Sequence, residues 1–426
     1  MNLRRTTPWL ALAILTGIST VGFIDRIVVN VLVEPVKAEF GLSDSQVSLM
    51  GVAFTALNIV VSLMIARVAE RVRRMSLISV GTLLWSAATA LCGWATGWTN
   101  LLVARIGVGV GEGVGLPALQ SVLADYYPAH RRGLALSVLM LAPPIGAMVG
   151  FIGGAWIAQE FGWRHTFLVA AVPGVVLALL AWVFIAEPKR GQHDAASSND
   201  AVPPVKAVLH RLLAFSSARH LLFGSALAAT LGFGLNYFFT SLMMRRFDVG
   251  LAEAGFYAGI IASAPAAISV VLQGWLADRL AARTQTAYML IPAACLLLGG
   301  PLYVLAITRD ALPLLLVLVS IATFLNFGYL GVTYASLQNL MHPRMRATAS
   351  ALIGSLYGIA GAGGPVLVGL LSDRFTQTQG PAEGLVTAMA IVGALYVWAG
   401  LHYGLAARRY TADLADTAAR DTSRQA

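Results

Sequence analysis

The chain has 426 residues, 58% of them hydrophobic and only 12% charged, with a mean hydropathy of +0.74 and a net charge of +9. Soluble domains carry roughly 25% charged residues, so this chain lacks the polar surface to cover a water-soluble globule; a soluble enzyme, a secreted disulfide scaffold and a disordered chain are excluded. What remains is an all-α polytopic membrane protein. Its basic excess belongs to inner loops, and no nucleic-acid partner is expected, since no basic run is interleaved with aromatics.

In chain order, apolar runs long enough to cross a bilayer predict helices over about 9–33, 45–66, 77–96, 100–126, 135–159 and 166–186, then 215–242, 253–277, 287–307, 312–340, 347–371 and 384–406. They must be helices, because lipid cannot satisfy an open sheet edge, and the alternating segments of a barrel are missing. The first run, Pro8 to Val33, is too long and too charged for the core of a cleavable signal. Cys92 and Cys295 sit in separate apolar runs and read as small buried hydrophobes. The glycine-rich stretch from Gly107 to Gly115 lacks the spacing of a nucleotide loop and reads as close helix packing through small residues. Pro143-Pro144, with Gly146, Gly150, Gly153 and Gly154, reads as a bending, closely packed fifth span.

The one long hydrophilic stretch, 187–214, has the composition of a flexible linker. It divides the chain into a six-helix bundle over 1–186 and another over 215–406, with a tail at 407–426. The halves echo one another: Ala66-Arg-Val-Ala-Glu-Arg71 follows the second span, and Gly274-Trp-Leu-Ala-Asp-Arg279 follows the eighth. Such an internal repeat is informative about architecture. With the N-terminus placed inside, 21 of the 29 Lys and Arg fall on the inner side, six on the outer, and Arg26 and Arg105 within helices. That bias predicts both termini in the cytoplasm.

These loop motifs resemble those of the major facilitator superfamily, whose pattern is approximately G-x-L-A-D-R-x-G-R-R. Gly274 to Arg283 matches it well, and Ala66 to Arg74 departs by Ala for Gly and Glu for Asp, which keeps the charge pattern. Arg105-Ile-Gly-Val-Gly109 is similar to the family's R-x-x-x-G. Within the superfamily the chain is most similar to the spinster-like carriers, on Phe23-Ile-Asp25-Arg26, Glu34-Pro-Val-Lys37, Gly41-Leu-Ser-Asp44, Ala104 to Glu112, Gly162-Trp-Arg164 and Arg344 to Ala349. The resemblance implies a twelve-helix carrier in two pseudo-symmetric halves, acting as a proton-coupled secondary transporter of a small amphipathic or anionic, lysolipid-like substrate by alternating access. The alternative is a proton-coupled organic-anion carrier of the anion–cation symporter type, which shares an Asp-Arg pair in the first span and a Gly-Glu in the fourth. A membrane receptor or scaffold would need neither the repeat nor the paired motif. The expected setting is a bacterial inner membrane, with the bilayer, protons and substrate as partners and the chain a monomer.

Four charges stand inside apolar runs: Asp25, Arg26, Arg105 and Glu112. Each costs about 2.5–3.5 kcal/mol at a helix centre, so such residues pair or serve transport. Asp25 lies ~24 Å along the first span, in its outer half; Arg105 and Glu112, seven residues apart, share a face of the fourth. Two acids and two bases are therefore expected at similar depth, either as a neutral cluster locking two helices or as transport machinery. On the second reading Arg26 and Arg105 bind the substrate's anionic group, because a guanidinium grips carboxylate or phosphate bidentately and stays charged. Glu112, ahead of Asp25, carries the proton. The second half offers Asn236, Tyr237, Asn326, Tyr329 and Tyr357 as substrate contacts or as ordinary core. Glu70, Arg71, Arg74, Asp278, Arg279 and Arg283, at inner helix ends, are expected to form a gate of exposed pairs worth ~0.2–1 kcal/mol each, or simply to keep the loops inside. No catalytic site, cofactor or metal is expected: the seven histidines contain no H-E-x-x-H, and no G-x-S-x-G elbow is present.

Overall fold

A computed structural model describes residues 7–69, 72–189, 204–342 and 345–422. Helices dominate, and no strand occurs among the described residues. The order is α1 (Pro8–Val31), α2 (Val33–Phe40), α3 (Asp44–Ala69), α4 (Arg74–Gly93), α5 (Trp98–Glu112), α6 (Gly115–Tyr126), α7 (Ala129–Leu139), α8 (Ala142–Phe161) and α9 (Trp163–Phe184). There follow α10 (Val205–Ala214), α11 (Ser216–Phe247), α12 (Leu251–Ala281), α13 (Ala287–Ile307), α14 (Leu312–Phe327), α15 (Tyr329–Asn339), α16 (Arg346–Gln379), α17 (Pro381–Ala394) and α18 (Tyr396–Thr422). Among the described residues, eleven segments are long and apolar enough to cross a membrane. A twelfth span, α5 with α6, is interrupted at Gly113 and Val114. This is the twelve-helix architecture expected of the family.

The chain forms two compact units, Met1–Ser198 with Asp248–Gly259, and Asn199–Phe247 with Ile260–Ala426. Two local features differ from the sequence reading. The stretch read as a flexible linker contains α10, because Val208, Arg211 and Leu212 find a buried face within the second unit. The stretch read as a tail is helical to Thr422, since Tyr410 and Asp413 are buried there.

The internal repeat extends to the backbone. Positive φ occurs at Gly41 and Asp248, which precede α3 and α12, and at Gly162 and Gly380, which precede α9 and α17. A left-handed residue lets the chain reverse within one turn. Each unit also interrupts two of its spans, and in each the break in the fourth span has carbonyls held from a neighbouring helix. In the first unit, Ser62 on α3 donates to the Gly113 carbonyl at 2.8 Å. In the second, Gln273 on α12 donates to the carbonyls of Phe324 and Leu325 at 3.2 and 3.1 Å, just before the interruption at Gly328. Side-chain donors of this kind re-satisfy carbonyls at a break where lipid offers nothing.

The alternate glycines of α5 explain how it packs. A Cβ at Gly109 would fall 2.2 Å from the Phe54 carbonyl oxygen on α3, and one at Gly111 2.5 Å from the Trp85 amide nitrogen on α4. No larger residue lets α5 wedge between those two helices, which sets the depth of the charges it carries.

Candidate functional site

Consecutive helix residues point about 100° apart, so Asp25 and Arg26 leave α1 in different directions. Each meets a residue of α5. Arg26 donates from Nε and Nη2 to Glu112 Oε2 at 2.7 and 2.6 Å, and Arg105 Nη1 donates to Asp25 Oδ2 at 3.2 Å. The structure thus brings all four intramembrane charges together, inside the first unit. Arg105 does not pair with Glu112 on its own helix: seven residues rise about 10.5 Å, too far for contact, and each side chain reaches to α1.

The two pairs are unlike. Both members of Arg105–Asp25 are 2% exposed, and the second Asp25 oxygen accepts the Thr89 hydroxyl at 2.9 Å. Every oxygen of that carboxylate is engaged. In the other pair Glu112 is 3% exposed but Arg26 is 40% exposed, and Glu112 Oε1 has no hydrogen-bond partner. Phe54 lies between the pairs, its ring centroid 5.2 Å from the Arg26 guanidinium carbon and 5.3 Å from that of Arg105. The aromatic face stabilises both cations and keeps the fixed pair dry. Thr89 and Phe54 carry no signal in the sequence, because one hydroxyl or one ring in an apolar run is unremarkable.

The second unit gathers its candidates differently. Asn326 is buried and its Oδ1 has no partner. Tyr329 is buried edge-on to Tyr403, Tyr357 sits edge-on to Phe233 at 5.6 Å, and Tyr237 packs against Phe238. Asn236 is half-buried.

Of the six residues expected at a gate, Glu70 and Arg71 lie outside the described residues. Arg74 is only 4% exposed and is drawn into its own unit: it pairs with Asp125 at 2.5 Å and Glu187 at 2.9 Å, and donates to the Ser121 hydroxyl. Glu187 also accepts the Met75 amide at 2.8 Å, satisfying one free N–H at the start of α4. Asp278 is exposed and accepts the Tyr288 hydroxyl at 2.7 Å; Arg279 lies 5.3 Å from the Trp275 ring, and Arg283 is exposed.

At the other end of the first unit, the short motifs become contacts. Lys37 pairs with Asp44 at 2.6 Å, bridging the turn at Gly41. Glu39 accepts both Arg164 nitrogens at 2.7 and 2.6 Å and the Trp163 indole at 2.6 Å. The Arg164 fork holds the Glu39 carboxyl below its ordinary pKa, against a smaller opposing effect of burial.

Comparison with known proteins agrees with this architecture. The family model described as Major Facilitator Superfamily matches residues 14–365. The chain is 30% identical to an MFS-type efflux pump of Mycolicibacterium smegmatis, over 96% of this chain and 95% of that one. It is 26% identical to the sphingosine-1-phosphate transporter SPNS2 of Danio rerio, over 100% of this chain and 88% of the relative. A crystal structure of a bacterial homolog to the human lysosomal transporter Spinster, inward-facing and unoccupied, superimposes with a TM-score of 0.89 at 26% identity, covering 96% of this chain and 99% of that one. Bacterial organic-anion transporters are also among the matched relatives. With the family model covering most of the chain and these relatives matched nearly end to end, the protein belongs to the major facilitator superfamily, as an integral membrane transporter related to the spinster proteins.

Proposed function

We propose that the protein is a proton-coupled secondary carrier of a small amphipathic anion, lysolipid-like in form, working by alternating access as a monomer in a bacterial inner membrane with both termini in the cytoplasm. The observation that carries this reading is the asymmetry of the two ion pairs: Arg105–Asp25 is closed and dry, whereas Arg26 is half-exposed above a buried Glu112 with an unpartnered oxygen. A substrate carboxylate or phosphate that takes the exposed Arg26 fork removes the counter-charge from Glu112. A buried carboxylate without its cation is costly, so Glu112 then takes a proton. Substrate and proton are bound together, and each makes room for the other. Arg105, by contrast, anchors α1 to α5 and polarises the site through Asp25. Asn236, Tyr237, Asn326, Tyr329 and Tyr357 are proposed as contacts for the substrate, and Arg74, Asp278, Arg279 and Arg283, with Glu70 and Arg71, as parts of the gating ends.

The test is reconstitution into liposomes with an imposed pH gradient, offering a single-chain lysophospholipid and a small dicarboxylate in parallel. The proposal expects gradient-dependent movement of the lysolipid that a protonophore abolishes. Movement of the dicarboxylate alone would favour the organic-anion reading, and lysolipid movement indifferent to the gradient would remove the proton.

A further inference from the structure

The seven histidines show no ligand spacing in the sequence, yet the fold brings two of them together. His220 on α11 and His402 on α18, 182 residues apart in the chain, place their Nδ1 atoms 3.0 Å from each other. Both helices belong to the second unit. They pack closely at this point: a Cβ at Gly224, one turn along α11 from His220, would fall 3.1 Å from the His402 Cβ. The backbones that carry the two rings are therefore fixed relative to one another, and little ordering is needed to bring both imidazoles to a common point.

Two neutral imidazoles that face through Nδ1 share a single hydrogen, so one ring donates and the other accepts. Nitrogens bound to one ion at 2.0–2.1 Å lie about 2.9 Å apart at a right angle and about 3.3 Å apart on a tetrahedron. The observed 3.0 Å falls between these values. Exchanging the shared hydrogen for a metal ion therefore asks only a rotation of the rings, which are tilted by 47° to each other. The pair is also within reach of water. α11 is a membrane span from Ser216, and His220 lies four residues on, about 6 Å along the helix. Both imidazoles are half-buried, and Arg408 and Arg409, about 9 Å beyond His402 on α18, are exposed. On the deeper side Phe223 lies 4.4 Å and Trp398 6.2 Å from the His402 ring centroid. Aromatic rings on one side and arginines on the other mark the boundary between hydrocarbon and headgroups. Arg219 turns away from the pair, donating to the Leu213 carbonyl at 2.8 Å.

We propose that His220 and His402 form a two-imidazole site for a borderline divalent transition ion, Zn2+, Ni2+ or Cu2+, with water completing its coordination. Neutral imidazole suits this class of ion, and Cu2+ is held most tightly within it. Mg2+ and Ca2+ take oxygen ligands and do not compete. The bound ion ties the foot of α11 to α18, independently of the substrate that the protein carries and of the side of the membrane on which that end lies.

The experiment titrates the full chain, in detergent and purified without a histidine tag, with Zn2+ and with Mg2+ as the control ion. The parent is expected to take up one Zn2+ per chain in a saturable step that Mg2+ does not displace. His220→Gln and His402→Gln should each bind Zn2+ at least about ten-fold more weakly, since even a partner outside the ligand set is worth about 10–100-fold in affinity. His210→Gln, an exposed histidine on α10, should bind as the parent does. Pulsed EPR of the Cu2+-loaded parent reads the ligands directly and needs no variant: two imidazoles are expected on the ion, and one in each of the two single variants. A parent that takes up no Zn2+, unchanged affinity in either variant, an equal loss in His210→Gln, or a parent Cu2+ spectrum with a single imidazole overturns the proposal and leaves the pair as a hydrogen bond between two spans.

Discussion

Arg26 and Arg105 share their chemistry and differ in exposure, 40% against 2%, and the substrate role proposed for Arg26 and the anchoring role proposed for Arg105 rest on that difference. Arg26→Lys keeps the charge and loses the fork, so substrate affinity is expected to fall by about ten-fold, or ~1.4 kcal/mol, with the unfolding temperature nearly unchanged. Arg105→Ala strands Asp25 in a dry site and is expected to cost ~3–5 kcal/mol, read as lost thermal stability in detergent. Equal stability losses in the two variants would undo the assignment. Glu39 gives a separate test by pH. Its carboxyl is held below the ordinary 4.5, so its pairing stabilises the fold fully above that value and the gain fades as pH falls through the lowered one. Glu39→Gln should therefore unfold at a lower temperature than the parent at pH 7, with the gap closing below about pH 4. High salt should narrow the gap too, because Glu39 and Arg164 are partly exposed.

At the level of elements, α5 is the part that places the site. Gly109→Ala sets a Cβ 2.2 Å from the Phe54 carbonyl oxygen, and overpacking of this kind costs about 1–3 kcal/mol. It should lower stability and transport together, since α5 carries both Arg105 and Glu112. Gly51→Ala on α3 is the control: its Cβ meets nothing within 4 Å, and a helix-interior glycine replaced by alanine gains about 0.5–1 kcal/mol. Thermal unfolding of the two variants should move in opposite directions. At the end of α12, Asp278→Asn should slow turnover while leaving expression intact; unchanged initial rates would remove Asp278 from the gate. The charges on α1 and α5 were legible because an ionised group inside an apolar run has no ordinary explanation. Their pairing was not, because a seven-residue spacing on α5 gives a shared face and says nothing of which α1 side chain reaches it. Helix α10 was hidden for a related reason: its ten residues sit beside a polar stretch whose composition masks a short amphipathic period.

For the whole molecule, the repeat was readable in one pair of loop motifs, and the backbone carries it further, to the left-handed residues Gly41 and Asp248 and to the interrupted spans of both units. No sequence feature marks an interruption supported from a neighbouring helix, since Ser62 and Gln273 are unexceptional until their acceptors are known. Glu112 is proposed to take the proton when substrate takes Arg26. Arg26 is half-exposed, so water can solvate it once its partner is neutral, and Glu112→Gln is expected to fold. The decisive measurement compares the parent and Glu112→Gln in liposomes for two readouts, accumulation driven by a pH gradient and exchange of labelled for unlabelled substrate without one. The variant is expected to keep exchange and lose gradient-driven accumulation; accumulation at the parent rate would contradict a proton carried by Glu112.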